Sequence, residues 1–335
     1  MRSKKTDRVL PRIGITMGDA AGIGAEIVLK ALSDESLKKI CSPIIIGDSA
    51  FLRQTAIDLN LEFDFIGENK ESAKSSDHTL VYNLNNLNEK FIIGEDAAAT
   101  GKAAAEYIET AVRLWKENKI DAIATAPISK KAIALGGYDY PGHTEFLAHL
   151  TGTKEFAMSF FAGNLRVVLL STHVSLRNAI ELVKKEKLIE LIKFSHREVS
   201  RLLVKDARIA VAGLNPHASE GGLFGAEEKD EITPAINVCR EQFGIDVSGA
   251  YSPDTIFLRA FRGEFDAVVS CYHDQATIAV KCLSFGASVN VTLGLPLIRT
   301  SVDHGTAFDI AGKNAADASS MKVAIELAAK LAVDS

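Results

Sequence analysis

The chain has 335 residues, 47% of them hydrophobic and 24% charged, a balance that suits a globular protein with a large core. Its formal net charge of −5 gives no electrostatic case for nucleic acid or an anionic membrane, so an anionic substrate would need locally placed Arg, Lys or helix N-termini. No apolar run approaches the ~20 residues that span a bilayer, and no apolar leader core follows the basic start MRSKKTDRVLPR, so the expected location is cytoplasmic.

Ile13 to Met17 reads as a strand. The turn Met17-Gly18-Asp19-Ala20-Ala21-Gly22-Ile23-Gly24 follows, and then a helix near Ala25 to Leu32. Backbone N–H groups in such a turn can meet an anion or a cofactor; alternatively the turn is simply tight, with Asp19 as a helix cap. Ile27 stands where GxGxxG needs its third glycine, and Gly101-Lys102 is followed by Ala103, so a standard dinucleotide fingerprint and a P-loop are both disfavoured. Pro43 to Ile46 is a second strand, Glu68 to Asn88 a polar surface region, Thr100 to Asn118 a helix, and Ala122 to Thr125 a buried strand. Pro141-Gly142-His143-Thr144-Glu145 precedes a helix beginning near Phe146. That position can present His143, the Thr144 hydroxyl and helix N–H groups to a phosphate or carboxylate. The alternative is Thr144 as an N-cap and His143 on the surface.

Three short apolar runs then end in histidine. Val167 to Ser171 leads into Thr172-His173, Arg208 to Leu214 into Asn215-Pro216-His217, and Asp266 to Cys271 into Tyr272-His273-Asp274. Continuous β-branched runs are typical of parallel strands buried on both faces, whose C-terminal ends share the ligand-binding edge of a sheet. Three imidazoles on one edge suit a divalent metal with open positions for substrate, whereas each alone could merely cap its strand. Between these runs lie a long charged helix, Leu176 to Leu203, with Val183, Leu188, Leu191 and Ile192 on one side, and a helix from Glu227 to Arg240. After His273-Asp274 come Lys281, Asn290, Arg299 and the turn Ser301-Val302-Asp303-His304-Gly305-Thr306-Ala307, then a helix from Ser320 to Leu331. Arg and Lys near strand ends are natural clamps for phosphate or carboxylate.

This alternation of strands and helices predicts an α/β protein with a mostly parallel sheet. The length suggests two lobes, although no linker marks a boundary. The four cysteines, Cys41, Cys239, Cys271 and Cys282, form no CxxC pair and are expected to be reduced thiols.

The segments ITMGDAAGIGAE, ATAPISK, YPGHTEFLA, STHVSLR, NPHASEGGLFGAEE, SPDTIF, YHDQ and VNVTLGLPLIRTSVDHGTAFDIAGK together resemble the 4-hydroxythreonine-4-phosphate dehydrogenase family of pyridoxine biosynthesis. The resemblance covers nearly the whole chain. It departs at Ala20 and Ala25, where the family usually has proline, and at Ala276, where it has glycine. It implies an isocitrate/isopropylmalate dehydrogenase-like α/β/α fold of two lobes with the site in the cleft between them. The cofactor-side lobe would be 1–135 plus 286–335, and the metal-binding and dimerisation lobe 136–285. It implies a homodimer with a shared active site, one divalent metal (Zn, Mg or Co) on His173, His217 and His273, and NAD or NADP with its adenosine end on His304, Gly305, Thr306 and Asn314. Substrate contacts fall on His143, Thr144, Lys281, Asn290 and Arg299, and Asp274 and Asp254 are the catalytic candidates.

The implied reaction oxidises the C3 hydroxyl of 4-phosphohydroxy-L-threonine to a β-keto acid, which decarboxylates to 3-amino-2-oxopropyl phosphate. The alternative is the sister activity on 4-phospho-D-threonate or 4-phospho-D-erythronate in sugar-acid catabolism. A metal-dependent hydrolase or lyase, or a non-catalytic small-molecule binder on the same fold, would lack nicotinamide-linked turnover.

Overall fold

The computed structural model describes residues 10–67, 78–284 and 287–334. In chain order it begins with β1 (Arg12–Thr16), α1 (Gly24–Leu32), α2 (Glu35–Lys38), β2 (Ser42–Gly47), α3 (Ser49–Asp58), β3 (Phe65–Gly67), β4 (Thr79–Asn83), α4 (Ala98–Lys116), β5 (Ala122–Thr125), α5 (Lys130–Leu135) and α6 (His143–Thr151). There follow β6 (Ala157–Ala162), β7 (Leu165–Leu169), α7 (Leu176–Leu182), α8 (Lys185–Leu202), β8 (Ile209–Ala212), α9 (Thr233–Phe243), β9 (Val247–Tyr251), α10 (Pro253–Phe261), β10 (Ala267–Ser270), α11 (His273–Ser284) and β11 (Val289–Leu293). The chain closes with β12 (Ile298–Ser301) and α12 (Ser319–Asp334). It divides into two compact units, Met1–Thr153 with Leu295–Val333, and a second built on Lys154–Gly294. The first unit therefore runs through α5 and α6 rather than stopping at 135. Both helices pack on α4: a Cβ on Gly101 would lie 1.9 Å from the Ala132 carbonyl oxygen, so only glycine lets α5 approach there, and Lys116 Nζ of α4 donates to the Leu150 carbonyl of α6 at 2.9 Å.

In the first unit the strand order is β3-β4-β2-β1-β5-β12, and every pairing is parallel. Ile13, Ile15, Ile45, Ile46 and Ile123 are fully buried, which is why these strands read as continuous apolar runs. Thr16 pairs with Thr125, and Thr125 with Ser301, so the loops after β1, β5 and β12 leave the same edge. In the second unit the order is β11-β6-β7-β10-β8-β9. The hairpin β6-β7 and its neighbour β11 are antiparallel, while β7, β10, β8 and β9 are parallel. The strands that precede the three histidines are thus consecutive neighbours, β7, β10 and β8.

Three local expectations change. The polar stretch beyond Glu68 contains a strand, since Leu80 and Val81 of β4 pair with Ile44 and Ile45 of β2; residues 68–77 lie outside the described residues. The helix expected over Leu176 to Leu203 breaks at Val183, whose buried side chain anchors the join. Glu231 restarts it by accepting hydrogen bonds from the Lys185 backbone N–H at 2.8 Å and from Lys184 Nζ at 3.1 Å. The helix expected from Glu227 begins instead as a π turn, Glu228–Ile232, before α9.

Candidate active site

Arg299 lies on β12 opposite Ile123 and is 3% exposed. Its Nε and Nη2 donate to Thr125 Oγ1 at 3.2 and 2.8 Å. Burial brings the guanidinium down to about 9, with Glu145 opposing the fall. His143 is the first residue of α6, three residues earlier than the sequence pattern places the helix start. Its Nε2 is buried and has no hydrogen-bond partner among the described residues. Burial and the charge on Arg299 hold its pKa well below 6.5, so at neutral pH the ring is uncharged. The helix N-cap, Gly142, supplies no side-chain cap. A buried cation, an orphaned imidazole nitrogen and an uncapped helix start in one unit are groups that can receive an anion's oxygens. Thr144, next to His143, is 9% exposed.

The histidines belong to the second unit. The His173 and His273 ring centroids lie 5.9 Å apart, and both residues line a cavity of about 220 Å³ with Thr172, Tyr272 and Asp274. Asp274 Oδ1 pairs with His273 Nδ1 at 2.7 Å. With a carboxylate accepting there, the ring proton sits on Nδ1 and the lone pair on Nε2, the form a metal ligand needs. The strand ends are tied together. Ser171 Oγ donates to the Cys271 carbonyl at 3.0 Å, and Gln275 Nε2 donates to the Gly213 carbonyl at 2.7 Å. Gln275 Oε1 also accepts from Cys271 N at 2.8 Å. Gln275 therefore clamps the ends of β8 and β10, the strands that lead to His217 and His273.

His217 sits in the 3₁₀ segment Pro216–Gly222, in which His217, Ala218, Ser219 and Glu220 all have φ between 47° and 63°. Left-handed backbone in four successive non-glycine residues is strained. The segment's base is fixed by Asn215, whose backbone N–H donates to Glu228 Oε1 at 2.7 Å and whose Nδ2 donates to Glu227 and Glu228 at 2.8 and 2.9 Å. Among the described residues no three His, Cys, Asp or Glu side chains stand together as a metal-binding group. One chain thus brings together His173 and His273, but not all three histidines. The paired rings, the tautomer fixed by Asp274 and the third imidazole on the neighbouring strand's loop fit a nitrogen-ligated divalent ion.

The first unit also holds the glycine-rich turn and the 304–314 loop. Gly22 touches the loop after β12: a Cβ there would lie 2.9 Å from Thr306, and Ile23 N donates to the Thr306 carbonyl at 3.0 Å. The glycine-rich turn and the 304–314 segment therefore form one surface rather than two rival sites. Beside it lies a recess of about 280 Å³ lined by Gly22, Ala25, Phe51, Asp58, Gly312 and Asn314, among others. Apolar walls with a few polar groups fit the adenosine end of a dinucleotide. Of the four residues expected to hold that end, Asn314 lines the recess, Thr306 joins the loops through its carbonyl, and His304 and Gly305 are exposed beside them, His304 Nδ1 lying 3.0 Å from the Gly305 carbonyl oxygen. Asp19 is not a helix cap: it is fully buried, its Oδ1 accepts from Ala21 N at 2.9 Å, and burial raises its carboxyl above the ordinary value.

Lys281 is in the last turn of α11 and shares a face with Asp274 seven residues earlier, while Asn290 lies on β11 opposite Phe160. Asp254 is in the first turn of α10 and accepts from Ser252 Oγ at 2.5 Å. Cys41, Cys239 and Cys271 are buried free thiols, and Cys282 is exposed.

Residues 39–328 match the family described as pyridoxal phosphate biosynthetic protein PdxA. The chain belongs to the PdxA family. A D-threonate 4-phosphate dehydrogenase of Cupriavidus necator is 45% identical over 326 residues, which cover 96% of this chain and 98% of that protein. A 4-hydroxythreonine-4-phosphate dehydrogenase structure from Klebsiella pneumoniae matches with a TM-score of 0.89 at 39% identity, covering 98% of this chain and 99% of that one. One from Burkholderia phymatum matches at 0.84 and 44%, with 96% and 98% covered. These PdxA-family relatives share the mixed α/β fold with its mostly parallel strands, and the chain is a dehydrogenase of that family.

Proposed function

We propose that this PdxA-family protein oxidises the C3 hydroxyl of a 4-phosphorylated four-carbon hydroxy acid with NAD or NADP, and that D-threonate 4-phosphate is its first substrate. The observation that carries the phosphate is the buried Arg299 beside the orphaned Nε2 of His143. The Cupriavidus necator relative, 45% identical over nearly the whole length, favours the threonate. The second reading, 4-phosphohydroxy-L-threonine, is favoured by the Klebsiella pneumoniae structure, with its TM-score of 0.89.

In this reading Arg299, His143 and Thr144 bind the anionic end of the substrate, and Lys281 and Asn290 add further donors. His173, His217 and His273 would hold a divalent ion (Zn, Mg or Co), which when bound makes the neighbouring hydroxyl more acidic. A nicotinamide bound in the first unit would supply the hydride acceptor. Asp274 keeps the lone pair of His273 on Nε2, and Asp274 and Asp254 are the carboxylates assigned to receive the hydroxyl proton. Different pH profiles for Asp274→Asn and Asp254→Asn decide between them. The ketone formed lies β to the carboxylate, so loss of CO2 follows. Because one chain unites only two of the histidines, the working enzyme is assigned as a homodimer that completes the site.

The test is a turnover panel of D-threonate 4-phosphate, D-erythronate 4-phosphate and 4-phosphohydroxy-L-threonine with both cofactors and added divalent metal. Highest kcat/KM on D-threonate 4-phosphate supports the assignment. Exclusive use of the amino acid moves the protein to the second reading, and no turnover of any of the three defeats both.

A further inference from the structure

The polar edge of the adenosine-sized recess is acidic. Glu26 and Asp58 both line it, and no Lys, Arg or His does among the described residues. The two carboxylates differ. Glu26 is buried, and its Oε1 is met by Lys30 Nζ at 2.8 Å and by the Ala316 backbone N–H at 2.9 Å. Asp58 is exposed at the last position of the ten-residue helix α3. The negative end of the helix dipole disfavours a carboxylate there. Its one-turn neighbour Gln54, also on the recess wall, donates from Nε2 to Asp58 Oδ1 at 2.8 Å and holds the group in place. Phe51, Leu59 and Ile93 add apolar wall.

We propose that Asp58, positioned by Gln54, accepts a hydrogen bond from the ribose 2′-hydroxyl of NAD and excludes the 2′-phosphate of NADP. This rests on the reading of the recess as the adenosine site. A carboxylate can accept from a 2′-hydroxyl, whereas a 2′-phosphate needs an Arg or Lys free to meet it; Lys30, behind the wall, is already held by Glu26 Oε1 at 2.8 Å and by the Ala316 and Asn314 carbonyls at 2.9 and 3.2 Å. Here the phosphate would meet an anion at the negative end of a helix instead.

The test is calorimetric titration of NAD+ and NADP+ into the wild type, Asp58→Ala and Thr55→Trp, with folding checked by circular dichroism; Thr55 lines the recess, and a tryptophan there fills it. Ile93→Trp replaces Thr55→Trp should the latter fail to fold. The wild type should bind NAD+ roughly tenfold or more tightly than NADP+, the scale of one like-charge contact in a partly solvated site. Asp58→Ala should bring the two affinities within about threefold, chiefly by tightening NADP+, and the blocking variant should weaken both. Equal wild-type affinities, or an unchanged ratio in Asp58→Ala while the blocking variant weakens both, overturn the role of Asp58 and leave the adenosine reading standing. Undiminished binding of both dinucleotides by the blocking variant overturns that reading and the proposal with it.

Discussion

Replacing Arg299 with Met should stabilise the ligand-free protein while removing its response to phosphorylated ligands. Burial lowers the guanidinium from the ordinary arginine value to about 9. Its unfolded value is therefore the higher one, so the unfolded chain binds this proton more tightly. The charged group costs stability at every pH below about 9, and the cost disappears as pH rises from there towards the ordinary arginine value. Exchanges of buried ion pairs or triads for apolar side chains of similar volume gain about 1–4 kcal/mol, and that is the gain expected in urea unfolding at neutral pH. Thr125 is not left stranded, because its Oγ1 also lies 3.4 Å from the Thr300 carbonyl and can donate there. In the wild type, D-threonate 4-phosphate at a hundred times its Kd should raise unfolding free energy by about 2.7 kcal/mol; in Arg299→Met it should raise it by almost nothing. An Arg299→Met protein that is several kcal/mol less stable without ligand, and still shows the full ligand shift, would refute the idea that this arginine is held ready for an anion.

His143 is held neutral, so ligand-free stability should fall as pH drops below the ordinary histidine value of 6.5, and His143→Asn should flatten that part of the curve in unfolding measured from pH 5 to 8. Asp274→Asn should weaken divalent-metal affinity about 10–100-fold, as loss of a histidine-orienting carboxylate does; equilibrium dialysis checks it. Ala218 has φ of 51°, where glycine is unstrained, so Ala218→Gly should raise thermal stability by about 1 kcal/mol, read from the unfolding midpoint. Gln275→Met strands the Gly213 carbonyl and the Cys271 N–H, a loss of about 2–4 kcal/mol in urea unfolding, with turnover falling because two strand ends lose their tie.

The sheet was legible where burial is two-sided. Ile13 to Met17, Ala122 to Thr125 and the runs before His173, His217 and His273 are continuous apolar stretches, and all are strands. β4 was hidden because only five residues, Thr79–Asn83, carry it within a polar stretch. The break at Val183 was hidden because helical periodicity runs through it and the restart depends on Glu231, far along the chain. The same limit applies at the site. Arg299 and His143 carry their chemistry in their residue types, but Thr125 becomes visible only when β5 and β12 pair and its hydroxyl meets the guanidinium. Gln275 stood in the YHDQ segment without a role, since clamping two strand ends is a property of the β8–β10 pairing rather than of local spacing. The glycine-rich turn and the 304–314 loop looked like competing cofactor sites because sequence order separates them, whereas Ile23 and Thr306 join them.

The most direct test of the central claim is the initial rate of NAD+ reduction by the purified protein with D-threonate 4-phosphate and with D-threonate, each before and after removal of divalent metal by a chelator. The account predicts rapid reduction with the phosphorylated acid, loss on chelation, recovery on adding back Zn, Mg or Co, and a far lower rate with the unphosphorylated acid at any concentration. Equal rates with the two acids, or full activity after chelation, would contradict it.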